Sequence, residues 1–359
     1  MQEKNESMKS YYTFDDVQIV PKLSNIEHRS ECDISQSQLS KNFKIDLPLV
    51  SAPMDTVTGL EMALAMLGLG GVGFIHRFMS IGSQSDVIDS LLKESKLLYD
   101  NGSAPICGTI GVTGDYLSRA GILLDSGVNV FLLDVAHGHH QLVKTALIEL
   151  KNMQRSNHYK FDIIAGSVCT AEATADLIEW GADGIRVGVG NGSMCSTRIQ
   201  TGVGLPSISS IEECAYIGKK HGIPIMADGG IRTPGDVCKA IGIGASTVMI
   251  GSLLAGTQES PGRIIKVGTW PNEVLQKKYR GSASLESKKD RGEEKNVEGT
   301  ARYVLYKGKI KRIVNDICDG LRSSMSYVGA RTLAEYREKC EFVRVTSAGL
   351  TEAKPHGLL

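Results

Sequence analysis

The chain has 359 residues, 42% of them hydrophobic, and Lys plus Arg balance Asp plus Glu at 40 each. A net charge of zero excludes the broad basic surface that nucleic acid or an anionic membrane requires, and it suits an enzyme acting on a small molecule. The apolar runs are too short to span a bilayer, and the opening MQEKNESMKSYYTF lacks the apolar core of a signal peptide, so the expected location is the cytoplasm.

The eight cysteines fall at 32, 107, 169, 195, 214, 238, 318 and 340, with no CxxC pair and no zinc-ribbon spacing. Reduced thiols are expected. Cys107, Cys214 and Cys238 sit within apolar patterns, where a free cysteine acts as a small hydrophobe.

In chain order, short β-rich apolar runs alternate with amphipathic stretches of helical length. The strand-like runs are LPLVSAP (47–53), GVGFIHR (71–77), APICGTIGV (104–112), VNVFLLDV (128–135), FDIIAGSV (161–168), GIRVGV (184–189), IPIMADGG (223–230) and TVMIGSLLAG (247–256). Between them lie GLEMALAMLG, SDVIDSLLKESKLL, YLSRAGILLDSG, HQLVKTALIELKNM, AEATADLIEWG, SIEECAYIGKKHG and PGDVCKAIGIG, several closed by glycine. Eight strands, seven intervening helices and a helix-rich remainder predict a (β/α)8 TIM barrel, in one catalytic domain over 1–359. A doubly wound open sheet is the alternative, disfavoured because the first strand is not followed by GxGxxG.

Residues 281–300, GSASLESKKDRGEEKNVEGT, are polar, charged and nearly free of apolar periodicity. They read either as a solvated loop or as a flap over an active site.

In a barrel the reactive side chains project from the C-terminal ends of the strands. After the sixth run comes Gly190-Asn191-Gly192-Ser193-Met194-Cys195-Ser196-Thr197-Arg198, after the seventh Asp228-Gly229-Gly230, and at the end of the eighth Gly251-Ser252. Glycine turns at the last two strands let backbone N–H groups approach a phosphate. Asp228 would repel the phosphate itself and is better placed to accept from ribose hydroxyls, so a nucleoside monophosphate satisfies both; simple tight turns are the other explanation. Cys195, presented on a glycine turn, is exposed enough to be a nucleophile, with Thr197 able to pass a proton. No histidine is close in sequence, although His76, His137, His139 and His140 follow other strands.

IRVGVGNGSMCST (185–197) resembles the signature loop of the inosine-monophosphate dehydrogenase and guanosine-monophosphate reductase family. The likeness extends through YTFDDVQIVP, HRSECD, SAPMDTVT, LLDVAHGH, ADGGIRTPGDVCKAIGIGA and LRSSMSYVGA, over nearly the whole chain. The resemblance implies a TIM barrel in which Cys195 attacks purine C2 and Thr197 assists proton transfer. It implies phosphate contacts at Ser193, Gly229, Gly230, Gly251, Ser252 and Tyr279, a ribose contact at Asp228, and a nucleotide pocket completed by Ser51, Met54, Gly281 and Ser282. Asp134, Ala136 and Ser167 would face the nicotinamide cofactor, and the carbonyls of Gly190, Gly192 and Cys195 would hold a monovalent cation, usually potassium. Family members are homotetramers, which is the expectation here.

Two positions depart from the pattern: Asn191 replaces a proline, which is expected to loosen the turn, and Ser167 replaces the asparagine of AGN, which puts the asparagine's polar contact near the cofactor in doubt.

Within the family, three features favour a reductase, acting on GMP with NADPH, over a dehydrogenase, acting on IMP with NAD. The inserted pair of CBS modules common in dehydrogenases is absent. Arg291 is followed by Gly292, not by the tyrosine that helps activate water. The run RGEEKNVEG resembles a reductase flap, with Glu293 as its acid–base residue and Glu294 as the neighbouring alternative. Against these, the tail 341–359, with Glu352 and His356, looks like a dehydrogenase C-terminus that reaches a neighbouring subunit's cation site. A nucleotide-binding regulatory protein without turnover is the remaining alternative.

Overall fold

A computed structural model of the chain describes residues 8–98, 104–290, 292 and 297–355. Eight parallel strands form its centre: β1 (Leu49–Ser51), β2 (Val72–Gly73), β3 (Cys107–Ile110), β4 (Val130–Asp134), β5 (Asp162–Val168), β6 (Gly184–Val187), β7 (Ile225–Asp228) and β8 (Thr247–Ile250). They hydrogen-bond in the order β2-β1-β8-β7-β6-β5-β4-β3. The remaining seam is closed by the bridge of Ile75 with Gly108, where Ile75 N–H donates to Cys107 O and Thr109 N–H to Ile75 O, each at 3.1 Å. The expected (β/α)8 barrel is therefore observed.

The strand sequences explain their position. β3, β5 and β8 are buried at every residue, as strands covered on both faces must be, so they show no alternation. Between them run α1 (Leu60–Gly68), α2 (Ile81–Ser95), α3 (Tyr116–Asp125), α4 (Gln141–Asn157), α5 (Ala171–Glu179), α6 (Ser207–His221) and α7 (Pro234–Gly242). Their starts are written locally. Thr170 Oγ1 accepts from Ala173 N–H at 3.2 Å, and Thr233 and Asp236 form a capping box with Pro234 at the first turn. The ring is completed by α8 (Ile310–Val328), which buries Ile310, Val314, Ile317, Cys318, Leu321, Met325 and Val328 along one face.

Two predicted strands are longer than those observed. TVMIGSLLAG is extended only to Ile250, because Leu254 and Ala255 N–H turn back onto Gly251 O at 3.1 and 2.9 Å. GVGFIHR contributes a two-residue strand and then the isolated bridge at Ile75 across the closing seam. No inserted module separates β2 from β3, since α2 ends at Ser95 and β3 begins at Cys107.

Beyond the barrel, an antiparallel sheet of β9 (Ile265–Val267), β10 (Val274–Arg280) and β11 (Ala301–Leu305) carries the expected flap segment between its last two strands. Separately, Val17–Ile19 pairs antiparallel with Phe342–Arg344. Cys107, Cys214 and Cys238 are buried, and burial pushes the thiols of Cys214 and Cys238 up to about 12. Among the described residues no helix is long and apolar enough to cross a membrane.

Candidate active site

The C-terminal ends of the strands surround a cleft of about 450 Å³. Its wall brings together Met54 after β1, Asp134 at the end of β4 and Ala136 after it, Ser167 in β5, Arg186 in β6, Asp228 at the end of β7 with Gly229 and Gly230 after it, and Gly251 and Ser252 after β8. Ser193, Cys195 and Thr197 enter from the loop after β6, and Tyr279, Gly281 and Ser282 from β10 and the turn that follows it.

Glycine makes that loop possible. Gly188 has φ +149°, and a Cβ there would lie 1.9 Å from Asp228 O; Gly190 has φ +75° and packs onto the stem of Arg198. The expected loosening at Asn191 is not what the structure shows. Asn191 Nδ2 donates to Ser207 Oγ at 2.9 Å, and its Oδ1 accepts from Arg198, which also donates from Nε to Val189 O at 3.2 Å. Side-chain hydrogen bonds thus hold the turn where a proline ring would otherwise stiffen it.

Cys195 is exposed to the cleft. Its thiol donates to Thr197 Oγ1 at 3.1 Å, and that hydroxyl donates to Glu298 Oε2 at 2.6 Å. The three groups form one chain from thiol to carboxylate. Main-chain hydrogen bonds fix Glu298 in place: Ser196 N–H donates to Glu298 O at 2.9 Å, and Glu298 N–H donates to Ala283 O at 3.1 Å. Cys195 and Gly299 form an antiparallel bridge beside it.

Glu293 and Glu294 lie outside the described residues, as do Arg291 and His356. Among the described residues, the glutamate that meets Thr197 is Glu298, the last acidic residue of the same RGEEKNVEG run. Position along the flap was the missing signal: Glu298 lies just before β11, where backbone pairing with the cysteine loop is possible.

Histidine plays no part in this chain of contacts. His139 Nε2 pairs with Asp176 at 2.7 Å and its ring stacks on Trp180, His140 caps α4, and buried His76 accepts from Phe78 N–H at 3.2 Å.

On one side of the thiol, Ser193 Oγ meets Tyr279 Oη at 3.1 Å, and the same phenol stands 3.3 Å from where a Gly251 Cβ would be. A serine, a phenol and backbone without side chains converge there, which is a setting for a phosphate. Burial pushes the Tyr279 phenol up, keeping it a neutral donor. Ser51 stands behind this wall: it is fully buried, and its hydroxyl accepts from Thr58 Oγ1 at 2.9 Å.

On the other side, Arg186 joins Asp228 and Asp134 at 2.9 and 2.5 Å, and Arg77 Nη2 donates to Asp134 O at 3.3 Å. Burial opposes ionisation of Asp134, but Arg186 and Arg77 outweigh it and hold the carboxyl below its ordinary range. Arg77 Nε is buried without a hydrogen-bond partner. Sequence reading passed over Arg186 and Arg77 because each lies within a strand-like run. Ser167 lines the cleft, with its N–H donating to Val135 O at 3.0 Å.

A sequence profile described as the IMP dehydrogenase / GMP reductase domain matches residues 11–356. The chain belongs to this family. An inosine-5′-monophosphate dehydrogenase of Cryptosporidium parvum is 39% identical over 96% of this chain and 94% of its own. A GMP reductase of Leishmania major is 30% identical, covering 96% of both chains. A crystal structure of GMP reductase C318A from Trypanosoma brucei, in complex with guanosine 5′-monophosphate, superposes with a TM-score of 0.88 at 30% identity, covering 98% of this chain and 99% of that one. The family is one of oxidoreductases that use a nicotinamide cofactor. These relatives also remove one argument made from sequence. The Cryptosporidium dehydrogenase aligns over 391 residues and the Leishmania reductase over 478, so an inserted stretch does not separate the two activities.

Proposed function

We propose that the protein is a GMP reductase, converting GMP and NADPH to IMP, ammonia and NADP+ through a covalent bond between Cys195 and purine C2. The chain of contacts from Cys195 through Thr197 to Glu298 carries this reading. GMP docks with its phosphate among Ser193, Gly229, Gly230, Gly251, Ser252 and Tyr279, its ribose hydroxyls on Asp228, and its base against Met54, Gly281 and Ser282. Thr197 relays the thiol proton to Glu298, and the freed thiolate attacks C2. Glu298, now protonated, returns a proton through Thr197 to the departing amine, leaving a thioimidate.

Arg77, Asp134, Ala136 and Ser167 would hold the cofactor, and the cationic guanidinium of Arg77 suits an anionic phosphate of it. When bound, the reduced nicotinamide supplies hydride to C2. The flap segment excludes water, because hydrolysis of the same thioimidate would give XMP. The carbonyls of Gly190, Gly192 and Cys195 would hold a potassium ion, Gly192 O already accepting from Cys195 N–H at 3.0 Å and retaining its second lone pair. A cytoplasmic homotetramer is proposed with it.

The dehydrogenase reading is favoured by the 39% identity to the Cryptosporidium enzyme and by the dehydrogenase-like tail 341–359. Two incubations separate them: GMP with NADPH, and IMP with NAD and potassium, each followed by nicotinamide absorbance. Oxidation of NADPH in the first is expected. Signal in the second alone would overturn the reductase, and stoichiometric nucleotide binding with no signal in either would favour a regulatory protein. Cys195→Ala should abolish turnover while retaining GMP binding.

A further inference from the structure

Arg186 is placed to do more than neutralise a carboxylate. It projects from β6 into the cleft, where its guanidinium is shared between two carboxylates assigned above to different ligands, Asp228 to the nucleotide and Asp134 to the cofactor. Nε donates to Asp228 Oδ2 at 2.9 Å, and Nη1 donates to Asp134 Oδ1 at 2.5 Å. Asp228 ends β7, the neighbouring strand, whereas Asp134 ends β4, two strands away across β5. β5 makes room for the crossing at Gly166, where a Cβ would lie 2.8 Å from Arg186 Cβ. All three side chains are enclosed, with 14% of Arg186, 14% of Asp134 and 18% of Asp228 exposed. Burial disfavours the charge on Arg186, but the two carboxylates hold its pKa above the ordinary value.

We propose that Arg186 is a positioning residue that makes binding in the nucleotide lobe and binding in the cofactor lobe mutually dependent. The inference rests on the nucleotide reading given above. A guanidinium is a rigid planar fork, so fixing Asp228 against a ribose fixes the orientation of the edge that meets Asp134, and the reverse holds equally. Whichever ligand arrives first orders the carboxylate that the second one needs. The coupling must then be reciprocal. A lysine ammonium keeps the charge but lacks the planar fork and cannot impose one orientation on both carboxylates.

The test measures GMP affinity by calorimetry with and without NADP+, a pair that does not react, in the wild type, Arg186→Lys and Arg186→Met. NADP+ should tighten GMP binding by about fivefold or more in the wild type, the lower range of allosteric couplings. Arg186→Lys should fold and bind each ligand, more weakly than the wild type, while its coupling factor falls to about one. Arg186→Met, if it folds, should lose coupling as well as affinity. A purely structural role predicts that lysine restores the coupling together with the fold. A wild-type factor of one, or an unchanged factor in Arg186→Lys, overturns the proposal while leaving the function intact. Absence of GMP binding by the wild type overturns the nucleotide reading and this inference with it.

Discussion

Replacing Gly299 by alanine would place a Cβ 2.9 Å from Ser284 N, 3.1 Å from Ala283 C and 3.3 Å from Met194 O. All three neighbours are main chain, so no rotamer change relieves the contact, and the 298–300 segment must withdraw by a few tenths of an ångström. That segment is held by Thr300 N–H to Met194 O at 2.9 Å and by Ser196 N–H to Glu298 O at 2.9 Å. Its displacement carries the Glu298 carboxylate away from Thr197 Oγ1, which it meets at 2.6 Å, and lengthens the terminal link of the proton chain. Acid–base catalysis by a positioned group is worth about 10²–10⁴-fold, so Gly299→Ala should lower kcat by about 10²-fold, or ~2.7 kcal/mol. KM for GMP should stay within about threefold, because the phosphate and ribose contacts lie on other segments. Steady-state NADPH oxidation measures both, and the same substitution in a Thr197→Ala background supplies the control. With the relay already broken, Gly299→Ala should cost little more. Full kcat in the single variant, or an equal loss in both backgrounds, would refute the reasoning.

Three further outcomes are expected. Asn191→Ala deprives the Arg198 guanidinium of an acceptor and should lower stability by about 1.5–3 kcal/mol in chemical denaturation, the range for a hydrogen bond to a charged group. Gly166→Ala sets a Cβ 2.4 Å from Arg186 O in the adjoining strand, and overpacking of about 1–3 kcal/mol should appear as a lower Tm. Burial holds the His76 imidazole below its ordinary pKa of 6.5, so the unfolded chain takes up the proton first as pH falls. The stability that neutral His76 contributes is present above pH 6.5 and is lost as pH falls through the depressed folded value. Thermal melts from neutral to mildly acidic pH should therefore decline more steeply for the wild type than for His76→Gln; parallel declines would exclude this origin.

The sequence by itself determined the repeating units and the reactive loop. The fully buried runs of β3, β5 and β8, the capping threonines and the glycine closures are local signals, each set by neighbouring residues. The pairing of Cys195 with Thr197 belongs to the same class, since two residues on one short turn meet without help from the rest of the chain.

The third member of that chain could not be read in this way. RGEEKNVEG holds three glutamates of identical chemistry, and what selects Glu298 is a backbone bridge between Gly299 and Cys195, more than a hundred positions apart. Arg186 is a similar case, because a lone cation inside a strand acquires its partners only when β4 and β7 close around it. Asn191 differs: it was noticed in sequence as a lost proline, and the fold supplied Ser207 and Arg198 to hold its amide. Periodicity, capping and turn chemistry act between near neighbours and are legible in one dimension. Which charged groups become partners is decided by closure of the barrel, which brings the ends of all eight strands to one mouth.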